Sequence, residues 1–554
     1  MPLEQIGAFT YKRYAPTLAA IESGCDPVRH PVAIVGAGPI GMALALGLAR
    51  HGVASVLIEA DDSVCEGSRA TCVSRRSLEI IERLGAIDAF MAKGLPWTDG
   101  VSFYREHEVL RFSMPHDAQQ KFPPMINLEQ YYIEQYLLDA ISACNARQPG
   151  LIELRWCSSV SDLQQHAGGA TLQVQTPGSR YALKADWVVA CDGGQSFVRK
   201  RLGLELSGTA YTGRYVIIDI ELASTYPTER RAWFDPPWWP GSTILMHKQP
   251  DNIWRIDYQL RHGDDSEAAL HPAAAEAFVQ RHLDAIGEGH LPWQMVWSSI
   301  YRAGAMSLAS YRHGRVLFAG NAAHALPIFG VRGLNSGIDD ADNLAWKLAY
   351  VTSGRGSEAL LDSYSQERVQ AFHINAGFAR RSTEFMSPPS RGFDLMREAA
   401  LSLARRHAGI ARLINPRQTQ AITYTESTLS TPDTGFTGGP PPGAPLLDCQ
   451  LDDGSHVSDL LQAAVFSLLV FDATNKDKMN AAADGQRELR QAGLGTAGCT
   501  MLTLPDQAVW PHYGAQPGTA YLLRPDGHVA ARWHDQPTAA QVTQAMRHAT
   551  HPDQ

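Results

Sequence analysis

The sequence contains no C-x-x-C pair and no paired Cys/His ligand spacing; its eight cysteines (Cys25, Cys65, Cys72, Cys144, Cys157, Cys191, Cys449 and Cys499) are scattered. That excludes a structural zinc module and argues against a disulfide framework, so a reduced, cytoplasmic chain is expected. Positive charge is also scarce. The net charge is −9 and no Lys/Arg run of the usual length appears, which argues against nucleic acid as a partner. The N-terminus lacks the basic stretch and apolar run of a secretory signal. Long apolar runs are few. The 18 uncharged residues from Val32 to Ala49 are interrupted by four glycines and Pro39 and begin as a strand, so a membrane span is not expected.

Apolar residues make up 44% of the 554, and charged residues 19%, enough to bury several cores. Residues 1–30 form a polar extension without clear periodicity. From Pro31 the pattern runs strand (Val32–Val35), glycine turn, helix (Ile40–His51) and strand (Ser55–Glu59), a βαβ unit. The fold class expected is α/β: a doubly wound nucleotide-binding domain over 31–206 and 311–355, with a β-sheet substrate domain inserted at 207–310. A helical segment (356–430) and a Pro/Gly/Thr-rich linker (431–445) lead to a last α/β domain over 446–554.

The strongest motif is Gly36-Ala37-Gly38-Pro39-Ile40-Gly41, placed after a strand and opening a helix. Gly36 serves the tight turn, Gly38 the approach of a pyrophosphate, and Gly41 helix–strand packing. The helix N-terminus offers free N–H groups to phosphate. Glu59, 18 residues beyond Gly41, is placed to accept from a ribose hydroxyl. A second match to the spacing, Gly493-Leu494-Gly495-Thr496-Ala497-Gly498, follows an expected helix (Ala482–Ala492) and precedes a strand. No helix N-terminus is available there, and it reads as a helix C-cap and loop.

Two further blocks extend the pattern. Asp192-Gly193-Gly194-Gln195-Ser196-Phe197-Val198-Arg199 follows one strand; Gly320-Asn321-Ala322-Ala323-His324, Pro327, Gly330 and Gly333-Leu334-Asn335 follow another. Together with the first loop, these blocks resemble the group A flavoprotein monooxygenases, the family of p-hydroxybenzoate and phenol hydroxylases, over roughly 31–350. The segment Gln130-Tyr131-Tyr132-Ile133-Glu134 is similar to the family's Q-x-x-x-E, whose Gln contacts the flavin nucleotide. The stretches Ser68-Arg69-Ala70-Thr71-Cys72, Trp233-Phe234-Asp235-Pro236-Pro237, and His247-Lys248-Gln249-Pro250 with Trp254-Arg255-Ile256-Asp257 are similar to the 3-(3-hydroxyphenyl)propionate hydroxylase-like branch. The last domain resembles the thioredoxin-like module that ends phenol hydroxylases. It lacks C-x-x-C, so a packing or homodimer role is expected rather than dithiol exchange.

The resemblance implies FAD as cofactor, held by Gly36, Gly38, Gly41, Glu59, Arg69, Gln130, Asp192, Gly320, Asn321, Pro327, Gly333, Leu334 and Asn335. It implies NADPH or NADH as a transient reductant, O2, and a small phenolic aromatic substrate hydroxylated through a C4a-hydroperoxyflavin. The chain departs from the family in three places: Asn321 replaces an Asp, Ile328 a second proline, and Thr71 an acid near the substrate hydroxyl. Arg332 is a candidate for the field at the flavin pyrimidine. His247 and Arg255 are candidates for a phenol proton or a substrate carboxylate, and Trp233, Trp238, Trp239 and Trp254 for an aromatic pocket. The alternatives are an oxidase or a non-catalytic redox sensor on the same fold.

Overall fold

In a computed structural model, the chain is described over residues 4–17, 21, 23–117, 119–261, 263–414, 418–433, 435–461, 464–473 and 498–553. The apolar run after Pro31 becomes the central strand Cys25–Val35, and the sheet around it is parallel. In order, Ile152–Arg155, Ser55–Ile58, Cys25–Val35, Arg180–Ala190 and Val316–Phe318 lie side by side. Two more strands, Gly169–Gln175 and Ser159–His166, extend the sheet antiparallel from the first half of Arg180–Ala190. Helix Pro39–Arg50 is buried on almost every side because it lies between the sheet and helix Gly333–Thr352. Their contact is close: a Cβ at Gly47 would stand 2.6 Å from the Cβ of Ala345.

The N-terminal extension is tied to this domain. Residues 25–30 are the start of the central strand, and Phe9 packs 4.8 Å from the Tyr131 ring and 5.0 Å from that of Tyr132. Hydrophobic residues isolated in a polar stretch give no period, which is why the sequence shows no element there.

The second sheet has eight strands and draws on more of the chain than 207–310. From one edge its order is His324–Ala325, Trp293–Ser307, Ser207–Leu222, Ile253–Gln259, Thr243–Lys248, Arg230–Phe234, Asp99–Tyr104 and His107–Ser113. The last two strands come from the middle of the first domain's sequence, and Asp99–Tyr104 joins parallel to Arg230–Phe234. Alternation divides the sheet into two faces. Trp233, Ile244, Met246, Trp254 and Ile256 pack against helix Pro272–Ala285. The opposite face turns toward the first domain.

The last domain has the strand order Cys499–Leu504, Phe466–Phe471, Ala520–Leu523, Val529–Trp533, with the first pair parallel and the others antiparallel, followed by helix Ala539–Thr550. This is the thioredoxin-like arrangement. The expected helix Ala482–Ala492 and most of the Gly493–Gly498 match lie outside the described residues. Burial pushes the Cys449 thiol up to about 11 and that of Cys499 up to about 12, so neither is a ready nucleophile.

The hairpin turn at Pro525-Asp526-Gly527 fastens this domain to the rest. Arg524 donates to both carboxylate oxygens of Glu367, at 2.6 and 3.1 Å, and Lys347 Nζ donates to Glu367 at 2.7 Å. Trp346 Nε1 donates to Asp526 at 3.0 Å. Burial alone would raise Glu367, but Arg524 and Lys347 hold its carboxyl far below the usual carboxylate range. Glu367→Ala would leave Lys347 and Arg524 buried without that counter-charge. We expect it to lose about 3–5 kcal/mol, read as a lower urea midpoint and as proteolytic release of residues beyond 430.

Candidate functional site

Three loops leave the parallel sheet at the carboxyl ends of adjacent strands, where open α/β sheets bind nucleotides. The first follows Cys25–Val35. Gly36 has φ +101° and Gly41 lies against it: a Cβ at Gly41 would stand 2.0 Å from the Gly36 carbonyl oxygen. Gly38 differs. Its φ is −69°, and a Cβ there would meet nothing within 4 Å, so no protein contact requires glycine at this position. The open space and the uncapped helix N-terminus, with no acid in its first turn, suit a pyrophosphate. Glu59 turns back onto the loop, accepting from Ala37 N at 2.6 Å and Asp61 N at 3.0 Å. Burial raises its pKa against those two N–H bonds.

The second loop carries Asp192, whose Oδ2 accepts from Val198 N at 3.0 Å and whose Oδ1 is buried without a partner among the described residues. Arg199 of the same motif reaches the third loop, donating to the Ala322 carbonyl at 3.0 Å. In that third loop Gly320 adopts φ +59°, Asn321 is exposed with no side-chain hydrogen bond of its own, and Pro327 is buried. Gly333 opens its helix with no side-chain cap and no first-turn acid, and a Cβ on it would meet nothing within 4 Å. Leu334 follows, half-buried beneath the first domain's core. Three neighbouring strand ends thus present open glycine backbone and two bare helix N-termini to one crevice. These residues fit a flavin dinucleotide.

Other expected cofactor contacts brace the crevice. Gln130 accepts from Ala70 N at 3.2 Å and donates to Glu134 at 2.8 Å, pinning the 68–71 loop. Arg69 is exposed on that loop. Asn335 is buried, accepts from Ser74 N and Ser77 Oγ, both at 2.8 Å, and donates to the carbonyls of Cys72 and Val331. Its side chain is spent on strand Cys72–Ser74, so what it offers a ligand is its backbone.

A residue on the helix that follows, Asp340, holds the third loop in place. Asp340 is fully buried and accepts from Gly320 N at 2.9 Å, His324 Nε2 at 2.6 Å and Arg368 Nε at 2.6 Å. Burial would raise its pKa; His324 and Arg368 together bring it below the usual value. Arg368 lies on a helix outside every motif, so only the fold reveals it.

The sheet face toward the crevice sorts the substrate-side candidates. His247 and Arg255 are a cross-strand pair, as neighbouring candidates should be. Arg255 is committed to the scaffold: it donates to Asp219 at 3.1 Å, the Arg69 carbonyl at 2.8 Å and the Ser68 carbonyl at 2.5 Å. That corrects its assignment to a substrate carboxylate. Arg332 is corrected as well. It is buried and donates to Asn375 Oδ1 at 2.8 Å and to the Gln418 carbonyl at 3.3 Å, with its guanidinium over the Phe378 ring. Burial pushes it down to about 10. The tryptophan pocket is also overturned: Trp233 and Trp254 lie on the opposite face in the sheet's apolar core, with Trp239 against Phe278 at 5.0 Å. Sequence reasoning missed Arg230 and Asp257, which share the crevice face with His247. Strand alternation from His247 and Arg255 was the signal that would have found Asp257.

Comparison with known proteins agrees with this geometry. The family described as "FAD binding domain" matches residues 29–376, and "Aromatic-ring hydroxylase, C-terminal" matches 439–551. The 3-(3-hydroxy-phenyl)propionate/3-hydroxycinnamic acid hydroxylase of Mycolicibacterium smegmatis is 28% identical over 377 residues, 67% of this chain and 64% of its own length. A relative of the same name from Klebsiella pneumoniae is 28% identical over 65% of this chain and 63% of its own. The matched part thus spans a little under two thirds of these relatives. Among solved structures, the flavin-dependent monooxygenase PieE in complex with FAD and substrate superposes with a TM-score of 0.78 at 22% identity, covering 94% of this chain and all of PieE. Aklavinone-11 hydroxylase with FAD and aklavinone gives 0.71 at 22% identity, covering 94% and 99%. These structures share the fold.

The glycines separate binding from folding. Gly38→Asp is expected to fold with the wild-type melting temperature as apoprotein yet to emerge without flavin, because its side chain and charge would fill the pyrophosphate space. Gly41→Ala, blocked by the Gly36 carbonyl, should fail to fold. Melting curves and the flavin absorbance of the purified variants check both outcomes.

Proposed function

Because this chain belongs to the FAD binding domain family, we propose that it is a single-component aromatic hydroxylase that consumes NAD(P)H and O2 to place one oxygen atom on a phenolic ring. The observation that carries this reading is the tie between the two parts: the three-loop cradle lies in one domain, and Arg255 on the buried polar face of the second sheet holds that domain's Ser68–Arg69 loop. FAD held in the cradle supplies acceptance of a hydride from the nicotinamide and activation of O2 for transfer to the ring.

The chain's own residues do the rest. Gly36 to Gly41 and the start of helix Pro39–Arg50 hold the pyrophosphate, and Glu59 takes the ribose. The bare first turn at Gly333 directs N–H groups and the positive end of a 20-residue helix at the pyrimidine edge, where reduction places negative charge. Asn321 offers a neutral acceptor to the ribityl chain where relatives in the resemblance carry an acid; this weakens one contact by about 1 kcal/mol and leaves the cradle intact. The sheet face and the loop around Ile328 and Phe329 exclude water from the ring site. No second glycine loop with a following helix competes for NAD(P)H among the described residues, which suits a reductant that binds, reacts and leaves.

Helix Arg391–Ala404 exposes Phe393, Leu395, Met396 and Leu403, with Met396 57% accessible. Exposed apolar side chains concentrated on one helix suit a self-complementary contact, and a homodimer is part of this reading. Sedimentation velocity should give a dimer, and Met396→Asp with Leu403→Asp a monomer that keeps its flavin.

The catalytic reading is tested with a panel of phenols. A true substrate accelerates NAD(P)H oxidation and yields a product carrying one atom from labelled O2, seen by mass spectrometry. Hydrogen peroxide without labelled product, for every phenol, would instead favour the oxidase or sensor alternative.

A further inference from the structure

The crevice face of the second sheet carries polar side chains that the scaffold does not use. Arg230, His247 and Asp257 come from three adjacent strands. The register sets Ala232 against Leu245, Leu245 against Asp257, and His247 against Arg255, so alternation brings all three to one side. Each is more than nine-tenths buried. Arg230 Nη1, His247 Nδ1 and Asp257 Oδ1 have no hydrogen-bond partner among the described residues. Native chains pair nearly all such atoms, and a buried guanidinium is the costliest to leave alone. The three together point to a ligand that completes them.

Their position fits a ligand that meets the cofactor. Arg230, Arg255 and Asp257 all act electrostatically on Cys72, whose carbonyl accepts from Asn335 Nδ2 at 3.0 Å. The patch therefore adjoins the start of helix Gly333–Thr352, which on the reading above would face the flavin pyrimidine. On its other side Phe329 and Ile328 share an apolar cluster with Ala232 and Leu245 of the same face.

Charge decides which ligand. Arg255 is already neutralised by Asp219 at 3.1 Å, and Asp257 offsets Arg230. A carboxylate would add an unbalanced negative charge beside Asp257. A neutral hydroxyl adds none, and it brings one donor and one acceptor to a site that offers one acceptor and one donor.

Resting on the hydroxylase reading above, we propose that Asp257 and Arg230 together bind the phenolic hydroxyl of the substrate, Asp257 accepting its proton and Arg230 holding the phenolate. The phenol O–H bond breaks, a new O–H bond forms on Asp257 Oδ1, and the electron pair stays on the phenol oxygen against Arg230 Nη1. The surroundings suit the roles. Burial pushes Asp257 up to about 6 against the pull of Arg255 and Arg230, with Asp219 adding to the rise; Cys72 and Tyr215 are its other titratable neighbours. It is a stronger base than an ordinary carboxylate. Burial, Arg230 and Arg255 drive His247 well below its usual value, so it stays neutral and is the poorer base.

The test uses FAD-loaded protein and 4-nitrophenol, whose phenolate is visible by its absorbance. Wild type should bind it with a larger phenolate fraction than free probe at the same pH. Arg230→Met should keep flavin and melting temperature, since it removes a buried guanidinium whose Nη1 has no hydrogen-bond partner among the described residues. It should also raise the Kd by about 10- to 100-fold and abolish the extra ionisation. Arg230→Lys should restore part of both. Asp257→Asn should bind the probe only as neutral phenol. Nitrobenzene, without the hydroxyl, should bind all four proteins alike. If both Arg230→Met and Asp257→Asn bind 4-nitrophenol with wild-type affinity and ionisation, the pair is overturned while the hydroxylase reading stands. A wild type that binds no phenol at all overturns both.

Discussion

The crevice depends on one buried carboxylate. Asp340 sits at full burial in helix Gly333–Thr352 and accepts three hydrogen bonds, from the Gly320 backbone, His324 and Arg368. A lone carboxylate in that place would be driven to protonate; here the positive partners reverse the effect of burial. The geometry that results is specific. Gly320 holds φ +59° with its N–H fixed on Asp340, and the turn that follows must lie where the helix puts it. Arg368 passes the constraint outward, donating to Ser336 O at 3.0 Å and to Tyr424 at 2.9 Å, and Tyr424 stacks on His528 at 4.7 Å. The nucleotide loop and the tip of the C-terminal domain are thus two ends of one polar network.

Strand alternation supplies the second constraint. One face of the eight-stranded sheet had to be apolar to receive helix Pro272–Ala285, and the tryptophans went there. Every residue displaced by one position then faces the crevice, which is why Arg255 neighbours Trp254 in sequence yet works on the other side. Arg255 was bound to be structural once it got there. A buried arginine beside Asp219 and two loop carbonyls satisfies its donors by anchoring the 68–69 loop, and that anchoring leaves Arg230 as the cation with donors to spare.

Legibility in the sequence follows the range of each interaction. The Gly36–Gly41 loop, Glu59 and the Asp192 and Gly320 blocks were readable because each acts through backbone conformation within a few residues. The first strand, helix and strand were readable from local patterning, whereas the thioredoxin-like module came only from the resemblance. Arg332 was misread because it was judged by its neighbours in sequence, Gly333 to Asn335, while its neighbours in space, Asn375 and Gln418, are about 40 and 90 residues away. Strand Asp99–Tyr104 joins a sheet whose other strands mostly begin a hundred residues later, and no local pattern announces such a pairing. Arg230 stands in no motif and Asp257 in a branch-like stretch that gives it no role; both gain meaning only when three strands are in register.

The C-terminal domain carries a thioredoxin-like strand order without a dithiol pair. Without a C-x-x-C pair, and with Cys449 and Cys499 buried as thiols, it has no route to dithiol exchange. What it retains is a stiff hairpin, and Arg524 and Asp526 on that hairpin meet Glu367, Trp346 and the Arg76 guanidinium. Trp346 and Lys347 belong to the same helix whose first turn is proposed to face the flavin and whose Asp340 holds Gly320. A buried ionic contact of this kind adds little net stability over a well-packed apolar one, but it admits only one relative placement of its partners. Fixing the far end of helix Gly333–Thr352 to a rigid domain therefore fixes the direction of its near end, and that end is where the N–H groups must point for the cofactor to be bound in register.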